Sequence, residues 1–432
     1  MRYSLTALIL LIFLAGCGAE PSPEASVKSG SGTDPAAVTP VVQEETSVSE
    51  EETDPPAVRP AALPEAEGIE LTQELLDNAL IREGNTSRLR KLFERAEAGE
   101  KLTLAYLGGS ITGGSGADPM ESACYAALTT QWWRDSFPQA EFEYINAGIG
   151  ETDSWVGVHR VEEEVLRYKP DLVVVEFSVN DSRQELNTES YDSLLMRILS
   201  CESEPAVIPL MLASKGHSFA YDHAPVIMHY DLPMIAYFNL LDTGFLPWEA
   251  VGNDDGIHPK NAGHALIADL LCAYYSSVLE KSGSGEAEAY TLPEAGYGKC
   301  RYTDASFVYS DTGMQTEGEG FVPMEESFVL HHPGWETESA GSFSFECSAR
   351  TLGIAYRWYM NPPEGGSAVY DVYVDDVAVA TIDPSEGKGW ADHLQYVEIL
   401  KEDTAAPHRV RLVPAQDSSG KCFQILALAL GE

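Results

Sequence analysis

Positive charge is scarce in this chain: 27 Lys and Arg stand against 68 Asp and Glu, a formal net charge of −41 over 432 residues. Binding to nucleic acid needs clustered cations that displace counterions from phosphate, so no nucleic-acid partner is expected, and a neutral or cationic substrate surface is. Cysteine is sparse as well, with seven in all and no Cys-x-x-Cys pair. That spacing gives no support to a zinc site, and no metal or organic cofactor is expected. Apart from Cys17, the cysteines at 124, 201, 272, 300, 347 and 422 are either buried thiols or disulfide partners, and sequence does not choose between them. The apolar run over 5–14 is too short to span a bilayer as a stable helix.

That run follows Met1-Arg2 and ends in Leu14-Ala15-Gly16-Cys17, the order of a secretion signal: one positive charge, a short apolar core, small residues before the cut. A cysteine directly after Leu-Ala-Gly resembles the lipobox of bacterial lipoproteins. The resemblance implies loss of residues 1–16, a diacylglyceryl group on Cys17 and a place on the outer side of the cell membrane. From 17 to about 68 the composition turns to Pro, Ser, Thr, Glu and Ala, including Glu50-Glu51-Glu52. Such a stretch lacks the apolar surface to offset its ordering entropy and is expected to be a disordered acidic tether.

The remaining chain is long enough for two domains. Over 69–280 apolar strands alternate with helical spacing: strands over 102–107, 142–145, 171–177, 206–212 and 234–238, helices over 122–137, 155–168, 191–199 and 261–279. The alternation implies a three-layer α/β/α domain around a five-stranded parallel sheet. The first strand stops at Gly108-Gly109, followed by Ser110 and a glycine-rich loop. Glycines beside a serine let the backbone turn sharply at the carboxyl edge of a sheet, where open α/β sheets place their ligands. A phosphate loop would need Lys-Ser/Thr after its last glycine, and Gly116 is followed by Ala117-Asp118.

Partners for Ser110 follow at the ends of later strands. After the second comes Gly148-Ile149-Gly150-Glu151, a turn whose N–H groups suit an oxyanion; after the third, Asn180-Asp181; after the fifth, Asp255-Gly256-Ile257-His258. An acid three residues before a histidine in a tight loop can hold one imidazole nitrogen while the other faces a serine.

In order, Gly109-Ser110-Ile111-Thr112, Gly148-Ile149-Gly150, Val179-Asn180-Asp181 and Asp255-Gly256-Ile257-His258-Pro259 resemble the four blocks of the SGNH hydrolases, a branch of the GDSL esterase/lipase group. The resemblance covers about half the chain and implies a flavodoxin-like fold. It makes Ser110 the nucleophile, His258 the base, Asp255 its orienter, and Asn180 with the N–H groups of Ser110 and Gly150 the oxyanion hole. Two departures accompany it. Gly-Gly-Ser-Ile-Thr replaces Gly-Asp-Ser-Leu, as in one subgroup, and counting from Asn146 puts Glu151 where the family has its oxyanion glycine. Either Gly150 acts from one residue earlier or the Glu151 N–H substitutes.

Three histidines at 217, 223 and 229 have neither helical nor strand period and read as unrelated loop residues rather than a metal site. Of the neighbours Trp132 and Trp133, one is expected in the core and the other can line a groove. After a linker over 281–289 the period changes to two, and 290–432 reads as an all-β sandwich or jelly roll. Its Trp335, Trp358 and Trp390 either stack on sugars or fill the sandwich. The function expected is an esterase that removes O-acyl groups, acetyl foremost, from an extracellular polysaccharide. A lipase or general acyl esterase, and a non-catalytic glycan-binding lipoprotein, are the alternatives.

Overall fold

The computed structural model describes residues 60–282, 288–363, 365–386, 389, 391–415, 418 and 420–432. Cys17, most of the expected tether, most of the linker and Trp390 lie outside them. Residues 60–68, the end of the expected tether, lie against the domain that follows. Ser136 Oγ accepts from the Ala61 N–H at 2.9 Å, and Ala61, Leu63 and Ala66 pack on its core.

Four parallel strands form the central sheet: β1 (Lys101–Gly108), β2 (Glu141–Gly148), β3 (Leu172–Glu176) and β4 (Ala206–Pro209), in the order β2-β1-β3-β4. This is the flavodoxin-like order. The fifth strand expected over 234–238 is absent from the ladder. Only Met234–Ile235 is extended; it pairs antiparallel with Leu80–Arg82, and a single bridge from Ile235 to Leu210 joins it to the sheet. Pro209 and Pro233 both lack an N–H, which leaves these segments short of donors. The chain then enters the helix Tyr237–Asp242.

Alternate residues of the strands feed two cores. Leu104, Tyr106, Leu172 and Val174 face the helices α1 (Ser87–Glu97) and α2 (Tyr125–Ser136), together with a long helix, Asn261–Ser282. Trp132 and Trp133 are both buried in this layer, so neither lines a groove. Asn261–Ser282 has the length and composition to cross a membrane, but most of its apolar stretch is buried here. Ala105, Leu107, Val173 and Val175 face the opposite layer, α3 (Ser154–Glu164) and α4 (Glu185–Ser200). His223 and His229 lie on a fifth helix, α5 (Ala220–His229), rather than in loops. His223 is buried against Asp181 at 2.7 Å.

The second half is an antiparallel sandwich dominated by two long strands, β5 (Ser342–Trp358) and β8 (His393–Pro414). Both bend: residues 343–349 of β5 pair with 406–412 of β8, and after a register break 351–358 pair with 393–401. Between them in sequence, β6 (Tyr370–Val374) and β7 (Val377–Ile382) form a hairpin whose turn residues Asp375 and Asp376 are both left-handed, φ 49° and 65°. The last strand, β9 (Phe423–Gly431), pairs with β5.

One core runs through both domains. Phe307, Leu394, Leu426 and Ala427 of the sandwich pack in the same cluster as Trp155, Val158 and Leu194. Trp155 stacks on Tyr396 with centroids 4.0 Å apart, and Gly353 leaves room for its ring: a Cβ there would lie 2.6 Å from it. Polar ties reinforce the contact, with Arg301 Nη1 donating to both carboxylate oxygens of the buried Glu189 at 2.9 Å.

Candidate active site

Ser110 begins a four-residue helical turn, Ser110–Gly113, immediately past the end of β1. The glycine pair before it has a steric reason. A Cβ at Gly108 would lie 2.6 Å from the Glu176 carbonyl oxygen, so that position needs glycine, and one at Gly109 would lie 2.4 Å from the Asn180 amide oxygen, which would have to give way. On the other side of the loop Gly116, at φ 92°, sits where a Cβ would be 3.0 Å from the His258 Cβ. The second block is stitched to the first, since Asn146 donates to the Thr112 carbonyl at 2.9 Å and Ile149 N–H to the Gly108 carbonyl at 3.1 Å. Beneath them the buried Arg160 donates to the carbonyls of Gly108 and Ala147 at 2.9 and 2.8 Å.

His258 Nε2 lies 2.9 Å from Ser110 Oγ, and its Nδ1 lies 2.7 Å from Asp255 Oδ2. With the Nδ1 proton donated to the carboxylate, Nε2 is left to accept the serine proton. Asp255 Oδ1 accepts from the N–H groups of Ile257 and His258 at 2.8 and 3.0 Å, which fixes the carboxylate over a three-residue turn. Partial burial works against its charge, but these two N–H groups and the imidazole outweigh it and hold its pKa below the ordinary value. Ser110 and His258 are nearly buried; Asp255 reaches solvent.

Asn180 and Glu151 line the same cavity as Ser110 and His258, about 570 Å³ in volume, with Ser214 and His217 on the facing side. Gly150 is adjacent: a Cβ there would be 3.8 Å from the Ser110 Cβ. Glu151 is left-handed, φ 58°. The structure thus brings together Ser110, His258, Asp255, Asn180 and Gly150, and it puts Glu151 beside them. Asp181 faces away, its Oδ1 accepting from Ser154 N–H at 2.7 Å and its Oδ2 on His223. His264 is a packing residue with its pKa pushed by burial down to about 4; Tyr125 N–H donates to its Nδ1 and its Nε2 donates to the Ser115 carbonyl.

Residues 106–266 match the GDSL-like lipase/acylhydrolase family. That stretch spans β1 to the start of Asn261–Ser282 and contains every block described above. A crystal structure of a two-domain esterase (CEX) active on acetylated mannans is 28% identical to this chain, with a TM-score of 0.73 over 83% of this chain and 98% of that one. The same esterase co-crystallised with mannopentaose matches equally, at 28% identity and TM-score 0.73, over 83% of this chain and 99% of that one. No curated protein sequence matches the chain.

The likeness to the two-domain esterase extends over both halves, and so does the cavity. Gly389 of the sandwich lines it, and His393 Nδ1 lies 3.0 Å from Glu151 Oε2. A groove of about 480 Å³ continues from Glu151 and Asn180 between the domains, lined by Asp153, Gln184 and Asn187 on one side and by Gln395, Tyr396 and Glu398 on the other. Sequence reading singled out none of the sandwich residues here. The aromatics it did single out are elsewhere: Trp335 and Trp358 are buried, Trp335 in the sandwich core and Trp358 against His393 at 4.7 Å. A polar strand residue in a period-two pattern carries no local mark of facing a neighbouring domain. The run Asp392-His393 beside Gly389 was the only signal available.

Proposed function

We propose that this chain is an extracytoplasmic serine esterase that removes O-acyl groups, acetyl first, from a polysaccharide. The observation that carries the reading is the hydrogen-bonded series Asp255, His258, Ser110 opening into a cavity that continues as an interdomain groove. In the reaction, His258 Nε2 takes the Ser110 proton as Oγ attacks the ester carbonyl. The developing oxyanion is received by the Asn180 amide and by backbone N–H groups of Ser110 and of Gly150 or Glu151. His258 then gives that proton to the sugar oxygen as its bond to the acyl carbon breaks, and water, deprotonated by the same nitrogen, attacks the acyl group and releases the acid as the proton returns to Ser110 Oγ. Asp255 keeps the imidazole in the tautomer this needs. No step calls for a metal.

The side chains around the nucleophile favour a sugar over a fatty chain. Glu151, Asn180, Ser214 and His217 line the cavity beside the aliphatic Val179 and Ile257, and Asp153, Gln184, Asn187, Gln395, Tyr396 and Glu398 line the groove beside Leu186, Leu394 and Val397. The activity of the two-domain relative on acetylated mannans supports the same substrate class. The test is acetate release from p-nitrophenyl acetate, acetylated mannan and acetylated xylan by the wild type and by Ser110→Ala. Turnover of the small ester and of one polysaccharide, both lost in Ser110→Ala, is expected; preference for long acyl chains would turn the reading to a lipase, and polysaccharide binding without turnover to a glycan-binding protein. The leader supports anchoring through Cys17. Cys17→Ser is then expected to move the protein from the membrane to the soluble fraction, and an unchanged distribution would sink the anchor.

A further inference from the structure

Glu151 stands where the two cavities meet, lining both the space around Ser110 and the groove between the domains. Its backbone is left-handed, and one carboxylate oxygen crosses to His393 of the sandwich at 3.0 Å. The other oxygen has no protein partner among the described residues, and the side chain is about a quarter exposed. His393, by contrast, is locked. Its ring stacks on Trp358, its Nδ1 also lies 3.0 Å from the Ala391 carbonyl, and Nε2 is 2.8 Å from the Gln395 amide. A Cβ at Gly389 would be 2.5 Å from the ring, so the backbone that lines the nucleophile cavity also clamps the histidine.

We propose that the Glu151–His393 pair is a specificity-determining element: a post built from both domains whose open carboxylate oxygen accepts hydroxyls of the sugar that bears the ester, setting which acyl group reaches Ser110. The inference rests on the esterase reading above. A carboxylate already hydrogen-bonded on one oxygen and oriented by a fixed imidazole needs no reorganisation to accept a hydroxyl, and charge-assisted hydrogen bonds of this kind discriminate strongly between partners. A small ester without a sugar has nothing for the post to hold. The two side chains touch no atom of the Ser110–His258–Asp255 series, and Glu151→Gln keeps the N–H at 151, so the ratio of oligosaccharide to small-ester turnover separates positioning of the sugar from any effect on the oxyanion.

The groups facing His393 are Glu151 from the loop after β2, and from the sandwich Asp392, which is itself held by Arg357 at 2.6 Å, together with the Ala391 carbonyl, Gln395 and Trp358. Burial presses the imidazole pKa down, but the Glu151 carboxylate, the Ala391 carbonyl and the Asp392 charge outweigh it and hold it above the ordinary value. The pair is charged below that raised pKa, a state in which the Gln395 amide must present its oxygen to Nε2–H, and it loses its imidazolium as pH rises through it.

The test compares kcat/KM on acetylated mannan or xylan oligosaccharides with kcat/KM on p-nitrophenyl acetate, in the wild type, Glu151→Gln and His393→Gln. The ratio of the two is expected to fall at least about tenfold in each variant, mainly through KM, and the double variant to fall no further than the worse single one. In the wild type the ratio also declines as pH is raised through the His393 titration, and this decline is lost in His393→Gln. A ratio within about twofold of wild type in Glu151→Gln overturns the proposal. Should His393→Gln unfold, Glu151→Gln decides alone, because that side chain is partly exposed and carries no packing of the core. A wild type inactive on p-nitrophenyl acetate brings down the esterase reading and this one with it. Activity on the small ester with none on either acetylated oligosaccharide overturns the post and leaves the esterase standing.

Discussion

The two domains meet the Ser110 cavity in different ways. From the α/β domain come Ser110, Asn180, Gly150, Asp255 and His258, each in a short loop past a strand or before a helix, where a change of a few residues sets the geometry. The sandwich reaches the same cavity with Gly389 from the loop before β8, holds the cavity residue Glu151 through His393 at the start of that strand, and continues the groove with Gln395 and Tyr396 along it. Loops at a sheet edge supply the groups proposed to react; a strand segment paired along its length with β5 supplies a fixed surface. The shared core around Trp155 makes that surface part of the site rather than an appended module.

This division can be broken at its strongest point first. Asp255→Asn is expected to lower kcat on p-nitrophenyl acetate on the order of 10⁴-fold by offering His258 the wrong hydrogen-bond partner. Because Asp255 is largely exposed, the melting temperature should stay close to wild type. A drop in stability without the drop in rate would mean that the loop serves the fold. At the interface, Trp155→Ala removes the ring that stacks on Tyr396 and is expected to cost about 3–5 kcal/mol in denaturant unfolding, still in a single transition. Two separate transitions would show independently stable domains and dissolve the comparison. Asn180→Ala is expected to lower kcat about 10²–10³-fold on every ester alike. An effect confined to oligosaccharides would move Asn180 from reacting group to sugar contact.

The same contrast governs how much was legible in the residues. The strands β1 and β3 are short, mostly apolar runs closed by turn residues, and each of the four loop blocks is contiguous, so a candidate nucleophile, an amide and an acid–histidine turn could be named from spacing. The loss of the fifth strand turned on Pro209 and Pro233, whose missing donors matter only once the neighbouring segment is known. Trp132 and Trp133 were misjudged because a helix wedged between a sheet and the long helix Asn261–Ser282 buries adjacent positions that an amphipathic pattern would separate. Glu151 announced itself only as a departure from a pattern. Its partner His393 belongs to the other domain, far along the chain, and no local spacing links the two.

Glu176 sharpens the line between strand-end groups that react and those that pack. It ends β3 opposite Gly108, which is two residues from Ser110, yet it is fully buried. Oε1 accepts from Ser178 Oγ at 3.0 Å and Oε2 has no partner among the described residues. Burial pushes its pKa up from 4.5 to about 7, against the Ser178 hydroxyl and the Val179 N–H, which favour the charge. A folded pKa raised above the unfolded one gives stability that is complete below about 4.5 and is lost as pH rises through about 7. Glu176→Gln keeps the shape and removes the titration. Relative to that variant, the wild type should lose on the order of 3 kcal/mol between those limits. Asp153 and Asp269, raised by burial to about 6 and about 7, shift stability with the same sign in both proteins, so the difference between the two unfolding curves isolates Glu176. Parallel curves across that pH range would mean the carboxylate is charged in the folded state, and would make this buried acid a candidate for the site's chemistry instead of its support.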